Sequence, residues 1–585
     1  MDDRPIALKA PMPTSTGVWP LSDTRRERLV LVVLSVLVAL AWLPRMKGPL
    51  DLRWDGATYY VLGTALAEGK GYRLLNEPGD IEAVQYPPLL PAIIAAHQVV
   101  IGSNDPVIVG RWLRLSFFLI FVAYIFTSYL VLRQFLSTDY ALLAMVLVIL
   151  NLYTSFLSDL CFAEIPFGLA TMLFMLCNSR QAGRLSVFWA ALAASAAYLL
   201  RTAGIALLAA WVIEALLRRA YTQTAVRLGF ALIPILGWHA YVSHVESSES
   251  YTHPAYTYQR ADYNFYNVSY ARNVSYRDPF SPELGRASLR QILGRVRNNL
   301  RAMPAALGEA VTAKQGYWTM FLARILALQQ SPHEKAQMIA TMFGIAVLAG
   351  LGLQLLQAEL LVPLYVLVYL LAVCLTPWPA QWTRYWAPLA PFLALALLRF
   401  LLAIGRYTLH ALPQRMTWRS VVVLGPIIGL ILTVQVFTLY DSYTRESGEA
   451  VVYDQQNQPT RYRLFYYSKQ YRDLDAALDW LRARSASGDI IAASMPHWTY
   501  LRTGRKTVMP PFERDPAKAQ ELLDSVPVRY VVVDKTGIDF TRDYTLPLLR
   551  NAPQHWSLIY SRGDNELQIY QRIHHKVEDL GVYRH

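Results

Sequence analysis

The sequence predicts a polytopic α-helical membrane protein that ends in a water-soluble α/β domain. Three observations predict this. About eleven apolar runs each approach the ~20 residues that carry a helix across a bilayer. Arginines gather at the same end of successive pairs of runs. The final segment, 441–585, abandons long apolar runs for a mixed helix and strand pattern.

Composition agrees with the first point. Of 585 residues, 54% are hydrophobic and only 17% are charged, with mean hydropathy +0.24. An ordinary soluble chain carries about a quarter charged residues. The net charge of +13 does not signal a nucleic-acid partner. The basic residues sit mostly at the ends of apolar runs, where topology and anionic lipid explain them. Cys161, Cys177 and Cys374 lie in or beside apolar runs and form no C-x-x-C pair. They read as buried thiols rather than metal ligands or disulfides.

Residues 1–28 form the expected cytoplasmic tail. The first apolar run follows Arg25, Arg26 and Arg28 and lacks a small-residue cleavage site, so it reads as a retained anchor. The predicted transmembrane domain covers 29–440. Its spans run near 29–44, 110–132, 140–154, 161–177, 186–200, 203–217, 228–244, 337–356, 359–376, 385–403 and 420–440. With the tail inside, the inner segments hold Arg133, Arg180, Arg184, Arg218, Arg219, Arg227, Arg406, Arg415 and Arg419, and only the 357–358 turn lacks a basic residue. That is the positive-inside pattern. An odd span count then puts 441–585 outside the cytoplasm.

Two long outer loops are expected, 45–109 and 245–336. In the first, Ala57, Val61, Leu62, Ala65 and Leu66 follow helical spacing, and Gly69 and Gly71 close the helix. This stretch is expected to lie on the membrane surface. The second loop is tyrosine-rich between Tyr251 and Tyr276, and Asn267 and Asn273 begin N-x-S sequons. In 441–585, Leu474, Ala477, Leu478 and Leu481 mark an amphipathic helix, and 489–493, 529–533 and 566–570 read as strands.

Charge near lipid is costly, so acidic residues at the outer face carry the most information. Asp55, in "LRWDGATYY", reads either as a helix cap that accepts the amide of Thr58 or as a general base facing a membrane cleft. Asp159 and Glu164, in "SDLCFAEIPFG", fall at the outer start of the fourth span, as caps or as partners of Asp55. Arg111, Arg114, Arg201 and Arg384 lie on the same side. Each reads as a snorkelling side chain or as a bidentate phosphate ligand. Acids and guanidiniums on one outer face suit a phosphate-linked substrate delivered from the bilayer. His239 and His244 mark the end of the seventh span. Asp473 and Asp475 form the one Asp-x-Asp, on a predicted surface helix. No Walker loop, GxSxG elbow or HExxH is present.

The order of these features resembles the C-type (GT-C) superfamily of membrane glycosyltransferases. It is most similar to the bacterial relatives of protein O-mannosyltransferases and to the lipid A aminoarabinose transferase. The carriers are Asp55 in "WDGATYY", "YPPLLP" at 86–91, "GRWLRLSFFL" at 110–119, the acids Asp159 and Glu164, "LLRTAG" around Arg201 and "RYWAPLAPFLAL" from Arg384. "WLRARS", "YLRTGRKTV" and "RYVVVD" add a looser C-terminal echo.

The resemblance implies a GT-C fold and a multi-pass protein of a bacterial inner membrane. It implies transfer of a hexosyl or pentosyl group, with inversion, from a polyprenyl phosphate to an acceptor hydroxyl on a glycan, lipid or protein. Asp55 would be the base, joined by Glu164 and Asp159 as catalytic acids. Arg384, Arg201 and Tyr86 would hold the donor phosphate. Gln85 and Tyr86 stand where the aminoarabinose enzymes carry a basic residue, and the WWDxG signature of asparagine-directed oligosaccharide transfer is missing. The residues name no cofactor and leave a divalent-metal requirement open. A multi-span transporter and a non-catalytic envelope-glycan binding protein are the competing readings.

Overall fold

A computed structural model describes residues 24–179, 184–328, 330–409, 418–538 and 540–573. Most of the expected tail, together with Arg180 and Arg415, lies outside the described residues.

Among the described residues, six helices are long and apolar enough to cross a membrane: Arg25–Arg45, Pro106–Leu132, Tyr221–Glu246, Pro332–Leu356, Pro379–Gly405 and Leu424–Arg445. Six of the about eleven expected spans are met by such helices, or seven if one bent pair counts as a span, and the other apolar runs form shorter helices. Thr138–Ile149 and Leu152–Ser158 meet at 65°. Asn151 makes that break: its Oδ1 accepts the amides of Tyr153 at 3.0 Å and Thr154 at 3.3 Å, so it caps a new helix rather than continuing the old one. Glu164–Ser179, Leu185–Leu200, Thr202–Leu217 and Leu361–Cys374 are likewise shorter than a straight crossing needs.

Small residues let these helices meet backbone to backbone, the usual device where lipid removes the hydrophobic drive to associate. A Cβ on Gly344 would fall on the carbonyl oxygen of Pro304, and one on Gly308 on that of Ala340. Both contacts join Leu289–Val311 to Pro332–Leu356. Gly344→Ala is therefore expected to lower stability by about 1–3 kcal/mol, because neither backbone can move aside cheaply. Thermal unfolding in detergent measures this. An unchanged midpoint would contradict the contact.

The expected outer loops are structured. Helices Asp55–Ala67 and Leu89–Ile101 occupy the first, and Gly69 and Gly71 follow Asp55–Ala67 with φ of +70° and +83°. The expectation that 57–67 lies on the membrane surface is corrected. Nine residues of the helix are buried, on every side of it, against Leu89–Ile101 and the C-terminal part. The sequon asparagines are buried too, Asn267 donating to Gln259 O at 3.1 Å and Asn273 to Asp262 O at 3.0 Å. Cys161 and Cys374 are buried free thiols.

The C-terminal part begins with an antiparallel hairpin, Gly448–Tyr453 against Pro459–Leu464. A five-stranded sheet follows, in the order Lys506–Val508, Ile490–Ala492, Val528–Val533, Leu567–Arg572, Trp556–Arg562. The first three strands are parallel and the last two antiparallel to their neighbours. "VRYVVV" reads as a near-continuous apolar run because both faces of the central strand are covered. One hydrophobic cluster runs from Trp42 through Leu393 to Leu478 and Ile569, so this part packs on the helices without a break.

Parallel strands deliver their following loops to one edge, the edge at which α/β sheets bind ligands. Here Ser494, after Ile490–Ala492, donates its hydroxyl to Asp534, after Val528–Val533, at 2.7 Å. That edge faces the helices. Asp473 and Asp475, expected on a surface helix, are instead buried. Asp475 accepts Tyr467 Oη at 2.6 Å and Trp498 Nε1 at 2.8 Å. Asp473 pairs with Lys469 at 2.7 Å and Arg562 at 2.8 Å.

Candidate functional site

A cavity of about 630 Å³ lies between the helical part and this sheet edge. Its floor takes Asp55, Arg201 and Arg384 from three separate stretches of sequence, with Glu164 from a fourth buried behind them. Asp55 opens the helix Asp55–Ala67, Arg201 sits in the turn before Ile205–Leu217, Arg384 belongs to the short helix Trp382–Trp386, and Glu164 opens Glu164–Ser179.

Glu164 is wholly buried, and one of its oxygens, Oε1, accepts from both Arg384 Nε and Arg201 Nη1. Arg384 reaches on with Nη2 to Asp55 Oδ2 at 2.5 Å. The four side chains thus alternate in sign: Arg201, Glu164, Arg384, Asp55. A buried carboxylate that holds two guanidiniums fixes their planes, and each keeps N–H groups for another anion. The ring of Phe162 lies 4.3 Å under the Arg384 guanidinium, and that of Tyr385 lies 5.4 Å from Arg201. These aromatic faces add to the fixation.

Asp55, Arg201, Arg384 and Tyr86 all line the cavity. The capping reading of Asp55 is not what is found. Trp54 occupies the cap position, and the carboxylate turns to Arg384. Tyr86 packs its ring 4.9 Å from Tyr59. Asp159 stands apart from this array and, like Glu164, does not line the cavity. It ends the helix Leu152–Ser158, is buried, and pairs with Arg114 at 3.3 Å. Arg114 also donates to the carbonyls of Arg45 and Pro49, so it braces the chain entering this region. Arg111 reaches Thr460 Oγ1 at 3.2 Å, away from the cavity.

The opposite wall went unrecognised in the sequence. The tyrosine-rich loop supplies Tyr266 and Tyr270, and Lys314 adds a further cation. The sheet edge supplies Ser494, Met495, His497 and Ile538. None of these four side chains carries a full charge at neutral pH. His497 packs against the Tyr266 ring at 4.6 Å, and its buried Nε2 has no hydrogen-bond partner among the described residues. The tyrosine richness of 251–276 was the one visible hint.

Burial pushes the pKa of His497 down to about 3 from 6.5, since the charged ring would lose its water. A histidine shifted downward binds fewer protons folded than unfolded, so acidification from pH 6.5 towards 3 favours unfolding. His497→Gln is expected to flatten the acid limb of the stability profile, by about 2 kcal/mol at pH 5. Melting midpoints between pH 5 and 8 measure this. Parallel profiles for the two proteins would refute it.

Among the described residues, no group of three or more His, Cys, Asp or Glu is placed to hold a metal ion.

No protein-family profile matches the chain, and no curated protein matches it in sequence. Solved structures do match. The oligosaccharyltransferase of Archaeoglobus fulgidus, in complex with Zn and sulfate, aligns over 93% of this chain and 73% of its own, at 13% identity and TM-score 0.52. ArnT from Cupriavidus metallidurans, bound to undecaprenyl phosphate, aligns over 94% and 98% at 12% identity, with a TM-score of 0.38. The first likeness shows the fold alone: this chain shares the fold of that oligosaccharyltransferase.

Proposed function

We propose that this chain is a polyprenyl-phosphate-sugar glycosyltransferase of a bacterial inner membrane. It moves a hexosyl or pentosyl group to an acceptor hydroxyl on the extracytoplasmic side, where the C-terminal part lies. The observation that carries the reading is the Arg201–Glu164–Arg384–Asp55 array in a cavity between apolar helices and a sheet edge. Support also comes from the fold, shared with an oligosaccharyltransferase.

The residues divide the work. The donor phosphate takes the free N–H groups of Arg384 and Arg201, near Tyr86, and competes with Asp55 for the first of them. Asp55, through Oδ1, takes the proton of the acceptor hydroxyl as its oxygen attacks the anomeric carbon. The bond from that carbon to the phosphate oxygen breaks, the configuration inverts, and the arginines stabilise the charge gathering on the departing lipid phosphate. Glu164 holds both arginines in place. The acceptor enters along the uncharged wall of Tyr266, Ser494 and His497, which suits a neutral hydroxyl-bearing group.

The test has two steps. Lipids of a deletion strain are profiled by mass spectrometry for an accumulating polyprenyl-phosphate sugar. The purified protein is then given that lipid and host envelope acceptors. Release of polyprenyl phosphate with the sugar on an acceptor supports the reading. A strain with unchanged lipid-linked sugars and envelope glycans sinks it.

A further inference from the structure

Trp54 stands one residue before the proposed base, and its backbone is unusual. Its φ is +55° and its ψ −130°, a combination open without strain only to glycine. Tryptophan is among the side chains least suited to it. Such a conformation persists only where the surroundings over-determine it, and the surroundings here can be read.

Before it, Arg53 is buried and fixed to Asp51 by Nη2 at 2.6 Å and Nε at 3.0 Å. Its guanidinium lies 4.5 Å from the Trp54 ring. After it, the amide of Ala57 bonds Trp54 O at 3.2 Å and begins the helix that presents Asp55. The indole stands edge-on to Phe156 at 5.9 Å, Phe162 at 6.4 Å and Tyr471 at 5.1 Å. Phe162 is the same ring that underlies Arg384.

One polar bond orients the indole. Trp54 Nε1 donates to Tyr471 Oη at 2.8 Å. Tyr471 belongs to the helix Lys469–Arg482 of the C-terminal part. Its hydroxyl donates in turn to Thr536 O at 2.6 Å. Thr536 is pinned by Asp534, whose Oδ1 accepts its amide at 2.7 Å and its hydroxyl at 2.5 Å. Asp534 is the residue that ties the two sheet-edge loops together through Ser494. Burial pushes the Tyr471 hydroxyl up to about 12, so at neutral pH it keeps the proton that it donates to Thr536.

We infer that Tyr471 is a positioning residue for Asp55: through Trp54, the sheet edge of the C-terminal part holds the strained turn that aims the carboxylate. The inference rests on the function proposed above. Its added content is that the C-terminal part belongs to the machinery of transfer and is not only an acceptor-binding module. A rotation at residue 54 swings the Asp55 Cα–Cβ bond, and a displacement of about 1 Å at a reacting group can cost ~10²-fold in rate.

Tyr471→Phe keeps the ring and removes the hydroxyl. Trp54→Phe removes the other end of the bond. The assay uses the full-length protein and the polyprenyl-phosphate sugars extracted from the deletion strain. Each variant is expected to lose tenfold or more in kcat, with KM for the donor lipid within twofold, because Arg201 and Arg384 are untouched. The double variant is expected to be no worse than the poorer single one. In an Asp55→Asn background, Tyr471→Phe is expected to change residual turnover by less than twofold, since the group it positions is already gone.

A merely structural tie predicts otherwise: equal losses in both backgrounds, tracking the folded fraction. That result, or full kcat in Tyr471→Phe, overturns the inference and leaves the proposed function standing. Wild-type turnover in Asp55→Asn removes Asp55 as the base and the positioning role with it, whereas a wild-type protein that turns over no polyprenyl-phosphate sugar removes the proposed function itself.

Discussion

Replacing Asp55 by asparagine is expected to lower turnover of a polyprenyl-phosphate sugar by roughly 10²–10⁴-fold, the range that a positioned proton acceptor contributes. Asparagine keeps the shape and can still accept from Arg384 through its amide oxygen, in place of the 2.5 Å bond made by Asp55. What it loses is the charge and the basic oxygen. The fold and the affinity for undecaprenyl phosphate are therefore expected to persist. Affinity would rise slightly, because the carboxylate no longer competes for the guanidinium. Single-turnover rates, with lipid binding measured alongside, separate the two effects. A variant that is inactive only because it fails to bind the lipid contradicts the role given to Asp55.

Arg384→Gln is expected to damage binding and chemistry together. Arg384 bridges Asp55 and the wholly buried Glu164, so its loss frees the first and half-strips the second. Breaking a buried pair outright costs ~3–5 kcal/mol. Glu164 still keeps Arg201, so a loss of about 2 kcal/mol is expected. Turnover is expected to fall by ~10²–10³-fold, the usual effect of deleting one group that stabilises developing charge. Arg384→Lys keeps the charge but cannot span two carboxylates as a planar fork. It should recover part of the lipid affinity and little of the rate. A lysine variant with full turnover would show that charge alone suffices, and the bridging geometry would lose its meaning.

The parts of this architecture visible in the sequence are those set by local pattern. The apolar runs announced the helices, and the strand Val528–Val533 announced itself by the three successive valines that end it. Span lengths were not visible. Asn151 interrupts an apolar run by bonding two amides just ahead of it, and hydropathy averages over such a break. The surface assignment of 57–67 failed for a related reason. Its alternation showed the apolar face, while the burial of Thr58 and Gly63 on the other depends on neighbours distant in sequence.

The candidate site shows the same division. Chemistry near lipid singles out Asp55, Glu164, Arg201 and Arg384, and the structure bonds all four together, three of them lining one cavity and Glu164 buried behind them. Which acid meets which cation could not be read, because the bonded partners are 37, 220 and 329 residues apart. Asp159 looked equivalent to Glu164, yet the turn between them sends one to Arg114 and the other to Arg201 and Arg384. His497 and Tyr471 carry no local mark at all. Their importance comes from how the sheet edge docks on the helices.

The most direct measurement is a structure of the purified protein with undecaprenyl phosphate in a lipid nanodisc. The account predicts the phosphate within hydrogen-bond reach of Arg384 and Arg201, the isoprenoid tail along the apolar helices, and Asp55 turned from Arg384 towards the cavity. A phosphate held elsewhere, with the Asp55–Arg384 pair intact, would contradict it.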